Sequence, residues 1–139
     1  MTAEHSTFWD DLAEDLQDPE FLRHYVVESI RIATVDRIVN ALDEARDAAD
    51  LSKAALARAI SADPAVVRRL FSAGHVNPTL GTLAEVAGAL GMRITLEPLP
   101  PDERKSVTEP LLEGRAADTR ALAEHLSGLR GGKLRPAAA

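Results

Sequence analysis

Two adjacent arginines, Arg68 and Arg69, lie in the stretch whose residue types best fit recognition of nucleic acid. An arginine guanidinium donates paired hydrogen bonds to a guanine edge or to a phosphate. Just upstream, Asp63 is suited to cap a helix and Pro64 fits the first helical position, so a helix is predicted to begin there. A helix with small residues at its start and arginines farther along fits a DNA major groove.

The segment before Asp63 has to position this helix. Leu56, Ala57 and Ile60 form an apolar stripe at helical spacing, and the run 61–64 then breaks the helix. Two helices with so short a connection cross steeply, which is the geometry of a helix-turn-helix. The alternative is an ordinary helical hairpin whose arginines form only a solvated face. In either case the second helix turns the same residues outward: Pro64, Ala65, Arg68 and Arg69.

Charge is distributed unevenly along the chain. The formal net charge is −6, yet residues 1–50 carry four basic and thirteen acidic side chains, residues 51–100 carry five and three, and residues 101–139 carry seven and six. The paired helices therefore lie in a locally positive window. This asymmetry favours separate partners, namely DNA for the middle of the chain and a basic partner for the acidic segment.

Composition excludes several classes of protein. A chain of 139 residues without cysteine has no disulfide or thiolate metal site, and a reducing cytoplasm is its expected compartment. No apolar run reaches the roughly 20 residues that cross a membrane. The chain has no glycine-rich phosphate loop, metal-ligand spacing or nucleophile paired with histidine and acid. We therefore expect no enzyme, no cofactor and no metal.

The acidic N-terminal segment is predicted to be helical. Acids at 10, 11, 14 and 15 admit two interpretations, a paired-carboxylate site or a solvated helix face, and the second is favoured because no histidine accompanies them. A further helix begins at Asp18-Pro19. It continues to about residue 49 or breaks near Ala33-Thr34. A break or kink is favoured because Thr34 could cap a helix and the β-branched residues lower helix propensity.

The helix starts on either side of the arginines offer places for phosphate. Ser52 is a plausible cap for the first helix of the pair, and a phosphate would fit its N-terminus beside Lys53. A further helix is predicted to begin at Asn77-Pro78-Thr79 and to end at Gly91. His75, in the preceding loop, is interpreted as a surface residue, with a phosphate contact as the alternative.

One strand is predicted, over residues 92–97. Apolar Met92, Ile94 and Leu96 alternate with polar residues there, and prolines follow. A single strand leaves its backbone groups unpaired, so it needs a partner from another chain. Its own copy across a two-fold axis is the economical partner, and an edge strand of a different protein is the other.

The C-terminal part is predicted to be extended. Residues 101–115 read as a linker, a helix is possible over 117–129, and short isolated helices rarely persist. We therefore expect residues 101–139 to be disordered in the free protein.

These residues together resemble a known family. The stretch LARAISADPAVVRRLFSAGHVNPTLGTLAEVAGALG is similar to the Xre or Cro/C1-type helix-turn-helix domain, and NPTLGTLAEVAGALG followed by a short strand resembles HigA-type antitoxins of toxin–antitoxin modules. The upstream DLQDPEFLRHY resembles a segment found before the domain in that group. The chain departs from the family at Ser61, where glycine is often found, and in a loop one residue longer before Asn77.

The resemblance implies a fold and a set of contacts. It implies a mainly α bundle of about five helices (residues 34–100), preceded by an acidic helical extension (1–33) and closed by the strand that pairs between chains. The implied base-reading residues are Asp63, Pro64, Ala65, Arg68 and Arg69. The implied DNA-backbone contacts are Ser52, Lys53, Asn77 and Thr79.

The resemblance also implies a function. Proteins of this kind bind operator DNA as homodimers and sequester a small basic ribonuclease toxin, so the expected protein is a cytoplasmic antitoxin that represses its own operon. The first alternative is a free-standing Xre-type repressor without a toxin. The second is an interaction module that has kept the fold and lost DNA binding.

Overall fold

The computed structural model describes residues 3–72 and 77–130, and side chains from residue 7 onward. The described residues are mainly helical, as predicted. The helices are α1 (Ala3–Asp15), α2 (Pro19–Ala48), α3 (Lys53–Ala59), α4 (Pro64–Leu70), α5 (Leu80–Ala89), α6 (Pro101–Glu103), α7 (Glu109–Glu113) and α8 (Thr119–Arg130). A π-helical turn, Arg104–Thr108, joins α6 to α7.

The chain divides into two units. Unit 1 combines Met1–Ala33 with Pro98–Ala139, and unit 2 is Thr34–Glu97. Each unit has its own hydrophobic core within the described residues. The described residues of the N-terminal and C-terminal segments therefore belong to one unit, while the candidate DNA-binding helices belong to the other.

Helix α2 is uninterrupted, so the predicted break near Ala33-Thr34 is wrong. The carboxylate of Asp18 caps its start by accepting a hydrogen bond from the Phe21 N–H at 3.3 Å. Ala33 is only 6% exposed, which places the expected break point at a buried position. The propensity cost of β-branched residues is a few tenths of a kcal/mol each, and burial of apolar side chains along α2 outweighs it.

Unit 1 has a core built from three helices. Helices α1 and α8 pack together, and α2 contributes two of the buried side chains. The buried members are Leu12, Leu16, Leu22, Val26, Leu122, Ala123 and Leu126.

The predicted linker and disordered tail are wrong for residues 101–130, which are largely helical. Helix α8 coincides closely with the helix thought possible over 117–129, and helical residues also fill most of the supposed linker. A short helix is marginal alone, but α8 buries Leu122 and Leu126 against other helices and gains stability from that burial. Residues 131–139 of the predicted tail lie outside the described residues.

A polar contact fixes the end of α7 to α2. The Arg23 side chain donates from Nε to the Leu111 carbonyl at 2.9 Å and from Nη2 to the Leu112 carbonyl at 3.2 Å. Gly114 ends the helix with φ of 76°, and a Cβ there would lie 3.0 Å from Arg23 Cζ. Glycine therefore satisfies both the left-handed backbone and the close approach of the guanidinium.

Unit 2 places α3, α4 and α5 against the C-terminal part of α2. Helix α3 packs on both α4 and α5. The buried core residues are Val39, Leu42, Leu56, Ala57, Val67, Leu70, Leu83, Val86 and Ala87. The apolar stripe predicted from Leu56 and Ala57 is therefore the buried face of α3.

Replacing a core leucine of α8 tests whether the C-terminal segment belongs to a folded unit. We expect Leu126→Ala to lower the free energy of unfolding of unit 1 by about 2–5 kcal/mol, because it removes a fully buried side chain. Urea unfolding followed by fluorescence of Trp9, the only tryptophan of the chain, measures this unit because Trp9 packs against the unit 1 core.

Leu112→Ala is the matched control, since Leu112 is 76% exposed. Its expected effect is within about 0.5 kcal/mol. Equal, small effects of both substitutions would contradict the packing of α8.

Candidate nucleic-acid interface

Helix α4 begins at the residues that the sequence marks as its start. Asp63 is the N-cap, and its Oδ1 accepts a hydrogen bond from the Ala65 N–H at 2.8 Å. Pro64 occupies the first turn, where its missing N–H leaves no helical bond unmade. Val67 and Leu70 are buried, which fixes the rotation of α4 about its axis.

The outer side of α4 carries the candidate readout residues. Asp63, Pro64, Arg68 and Arg69 are exposed, and Ala65 is half-buried. Within the described residues, neither Arg68 nor Arg69 forms an ion pair, whereas Arg46 of the same unit pairs with Asp43 at 2.9 Å. Two guanidinium groups on α4 are therefore available to an external anion.

The turn before α4 has a left-handed residue at Ser61. Its φ is 55°, a conformation that favours glycine. The Ser61 N–H donates to the Arg58 carbonyl at 3.2 Å and the Ala62 N–H donates to the Ala57 carbonyl at 2.9 Å, which is the Schellman pattern of helix ends. Serine thus holds a left-handed position that glycine would adopt at lower cost, and the turn keeps its geometry at a cost in backbone strain.

The two neighbouring helix starts are capped by hydroxyl groups. Ser52 Oγ accepts from the Ala55 N–H at 3.0 Å, and Thr79 Oγ1 accepts from the Thr82 N–H at 3.1 Å. Lys53, the first residue of α3, is half-buried. The predicted starts of α3 and α5 are confirmed.

A groove of about 400 Å³ lies between α4 and the start of α5. It brings Arg69 together with two of the predicted backbone-contact residues, Asn77 and Thr79. Its lining is Val66, Arg69, Leu70, Asn77, Pro78, Thr79 and Thr82. The lining does not include Ser52 or Lys53, which begin α3.

One polar lining residue, Thr82, is not among the residues predicted from the sequence. It joins the groove because its hydroxyl lies 3.0 Å from Thr79 Oγ1 and its N–H is capped by the same atom. The i, i+3 spacing of two threonines at a helix start is a signal that would have identified it. His75 lies outside the described residues, so both interpretations of it remain predictions.

Residues 92–97 form neither helix nor strand in the described single chain. Ile94 packs against the unit 2 core, while Met92 is 43% exposed and Leu96 is 98% exposed. No strand is present among the described residues, and pairing between two chains stays a prediction.

Two other kinds of feature, a metal-holding cluster and a membrane-spanning helix, are absent from the described part of the chain. The residues described there contain no group of three acidic, histidine or cysteine side chains placed to hold a metal ion. The acids at 10, 11, 14 and 15 are all exposed, as a solvated helix face requires. None of the described helices combines the length and apolar character needed to span a bilayer.

Comparison of this chain with protein-family models, curated proteins and solved structures gives no match.

A glycine at the strained turn is expected to stabilise unit 2. Ser61→Gly should raise the free energy of unfolding by about 1 kcal/mol, because a left-handed backbone costs an L-residue that much and costs glycine little. Thermal unfolding followed by far-UV circular dichroism measures the change.

Ala59→Gly is the control, because Ala59 lies in the last turn of α3 at an exposed site. It should destabilise by up to about 1 kcal/mol. Destabilisation by both glycines would contradict the strain assigned to Ser61.

Proposed function

We propose that the protein binds double-stranded operator DNA through α4 and represses transcription. The observation that carries this proposal is the outer side of α4, where Arg68 and Arg69 are exposed and form no ion pair within the described residues. The helix start has an exposed Pro64 and a small, half-buried Ala65, which let a duplex approach closely. An arginine side chain that forms two good hydrogen bonds to a guanine in the major groove favours that base over the others by about 1–3 kcal/mol.

The groove beside α4 supports a contact to the DNA backbone. Its lining includes Arg69, Asn77 and Thr79, which would offer a cation and polar groups to the phosphates of one DNA strand. Ser52 and Lys53 at the start of α3 are proposed to contact the backbone separately. In this proposal the duplex is held by phosphate contacts and read by α4.

Repression of a palindromic operator would require two copies of the chain. A homodimer would place two α4 helices in successive major grooves roughly 34 Å apart. The strand residues Met92, Ile94 and Leu96 are the proposed dimer contact. The exposure of Leu96 supports this assignment, since a fully exposed leucine in a non-helical segment gains from being covered.

We further propose that the protein is an antitoxin, with unit 1 binding a small basic ribonuclease toxin. Asp11, Glu14 and Asp15 of α1 are exposed and form no ion pair within the described residues, whereas Asp10 pairs with Arg120. Phe8 on the same helix is 55% exposed, so an apolar contact accompanies the acids. An acidic surface with an aromatic residue is complementary to a basic protein partner.

The second candidate function is a free-standing repressor without a toxin. The structure of unit 2 would serve either function, because the proposed DNA contacts lie there and the acidic residues of α1 lie in unit 1. Both functions would take place in the cytoplasm, at the nucleoid when DNA is bound. The presence or absence of a basic partner separates them.

Removing the arginines of α4 tests DNA binding. We expect Arg68→Ala/Arg69→Ala to weaken binding to the DNA upstream of the protein's own gene by at least about tenfold, because both guanidinium groups that bind bases and phosphates are removed. Fluorescence anisotropy at several salt concentrations measures the affinity and its salt slope. The slope should decrease by about 1 for each phosphate that the variant no longer binds.

Arg104→Ala is the control, as Arg104 is exposed in unit 1. Unchanged affinity of the double variant would show that α4 does not read DNA.

Neutralising the acids of α1 tests the antitoxin proposal. Co-expression with the neighbouring reading frame, followed by mass determination of the purified complex, should yield a stoichiometric small basic protein. In that complex Asp11→Asn/Glu14→Gln/Asp15→Asn should weaken partner binding and reduce its salt dependence, because charge steers such association.

Asp102→Asn/Glu109→Gln/Glu113→Gln is the matched control on other exposed positions of unit 1. Purification of the protein alone would instead support the free-standing repressor.

A further inference from the structure

The segment after α5 combines an anchored residue with a fully exposed one. Ile94 packs against the unit 2 core, and Leu96, two residues later, is 98% exposed. In a β-strand residues two apart share a face, so in a paired strand Leu96 would extend the apolar face that begins at Ile94. An apolar strip of this kind is stabilised by a covering surface.

The backbone of the same segment has no hydrogen-bond partner among the described residues. No hydrogen bond of the described residues joins the backbone of residues 93–99 to another backbone group; the last one before it runs from the Met92 N–H to the Ala87 carbonyl at 2.8 Å. That bond, with Gly91 at φ 76°, ends α5 and directs the chain away from it. Unpaired N–H and C=O groups in a row are the template for strand pairing.

The side chains of this segment are self-complementary about Thr95. In an antiparallel pair of two identical strands centred on that residue, Arg93 of one copy lies opposite Glu97 of the other, and Ile94 lies opposite Leu96. Opposite charges and apolar pairs facing each other across strands stabilise a sheet. The neighbouring register, centred on Ile94, also forms apolar pairs, but it places Arg93 opposite Thr95 and so loses the pairing of Arg93 with Glu97.

We propose that residues 93–97 pair antiparallel with the same residues of a second copy, in one register whose two-fold axis passes through Thr95. The Arg93 and Glu97 side chains form two symmetric ion pairs on one face of this ribbon, and Ile94 and Leu96 form two apolar pairs on the other. Pro98 ends the ribbon because it has no N–H to donate. This inference rests on the homodimer of the proposed function and specifies how that dimer is held.

The charge pattern selects a second copy over a foreign strand. A different protein could use the unpaired backbone equally well, but the match of Arg93 with Glu97 and of Ile94 with Leu96 is a property of the sequence with itself. Only antiparallel self-pairing uses all four residues at once, since parallel pairing would place Arg93 opposite Arg93.

A single cysteine tests the register directly, because the chain has none of its own. In this register Thr95 lies opposite its own copy, at a Cα separation of about 4.5–5.5 Å, which a disulfide can bridge. Thr95→Cys is expected to give a disulfide-linked dimer on mild oxidation of the full chain, read on a non-reducing gel.

Leu99→Cys is the matched control, because Leu99 lies beyond Pro98 and outside the proposed contact. Its two copies would lie eight residues apart along the line of the ribbon, at about 27 Å, and should not cross-link. Equal cross-linking at both positions, or none at Thr95→Cys, overturns the register.

Charge reversal provides an independent test. Arg93→Glu and Glu97→Arg should each weaken dimerisation about tenfold or more, because each creates two like-charge pairs, and the double variant should recover to within about threefold of the original protein. Analytical ultracentrifugation without DNA measures these constants. Failure of the double variant to recover, or a monomeric original protein, overturns the proposal.

DNA binding separates this inference from the proposed function. A dimer with the expected cross-link that has no salt-dependent affinity for DNA would contradict only the repressor function. Operator binding by a protein that fails the charge-reversal test would contradict only the strand register.

Discussion

Burial of the apolar side chains of α2 is the constraint on which both units depend. Leu22 and Val26, near its start, enter the core of unit 1, and Val39 and Leu42, near its end, enter the core of unit 2. The helix therefore stays intact through its β-branched residues. Burial of each apolar side chain contributes more free energy than the low helix propensity of a β-branched residue costs. The other core helices also pack on one another, α1 against α8 in unit 1 and α3 against α4 and α5 in unit 2.

Helix ends then determine where the candidate DNA contacts lie. Asp63 starts α4, Thr79 starts α5, and a left-handed Ser61 ends α3, so the turn between α3 and α4 is set by backbone hydrogen bonds and one capping carboxylate. The buried Val67 and Leu70 fix which side of α4 faces solvent. Arg68 and Arg69 therefore face outward because of the rotation of α4 alone. Neither forms an ion pair within the described residues.

Charge is arranged differently in the two units. In unit 2 the arginines of α4 form no ion pair within the described residues, and in unit 1 the exposed acids of α1 are likewise without ion pairs there, apart from Asp10. A protein that neutralised these groups internally would have little attraction for DNA or for a basic partner. The separation of charge is the physical basis for proposing two partners, one for each unit.

The sequence by itself determined the local features. The caps at Ser52, Asp63 and Thr79, the proline start of α4 and the outward arginines all follow from residue type and spacing, because capping and periodicity are short-range effects. The groove residue Thr82 was not predicted, although its i, i+3 spacing from Thr79 is a short-range signal of the same kind. The proposed pairing of residues 93–97 also has its basis in the sequence, as self-complementary charge and apolar character.

Only tertiary structure decided the rest. Helix α8 and the segment from Pro101 to Glu113 read as a linker and tail, because each is too short and polar to predict as stable alone. They fold because Leu122 and Leu126 find apolar partners on α1 and α2, about a hundred residues away in sequence. Arg23 of α2 also donates hydrogen bonds to the Leu111 and Leu112 carbonyls at the end of α7. Contacts between distant segments have no signature in local spacing, which is why the sequence did not reveal them.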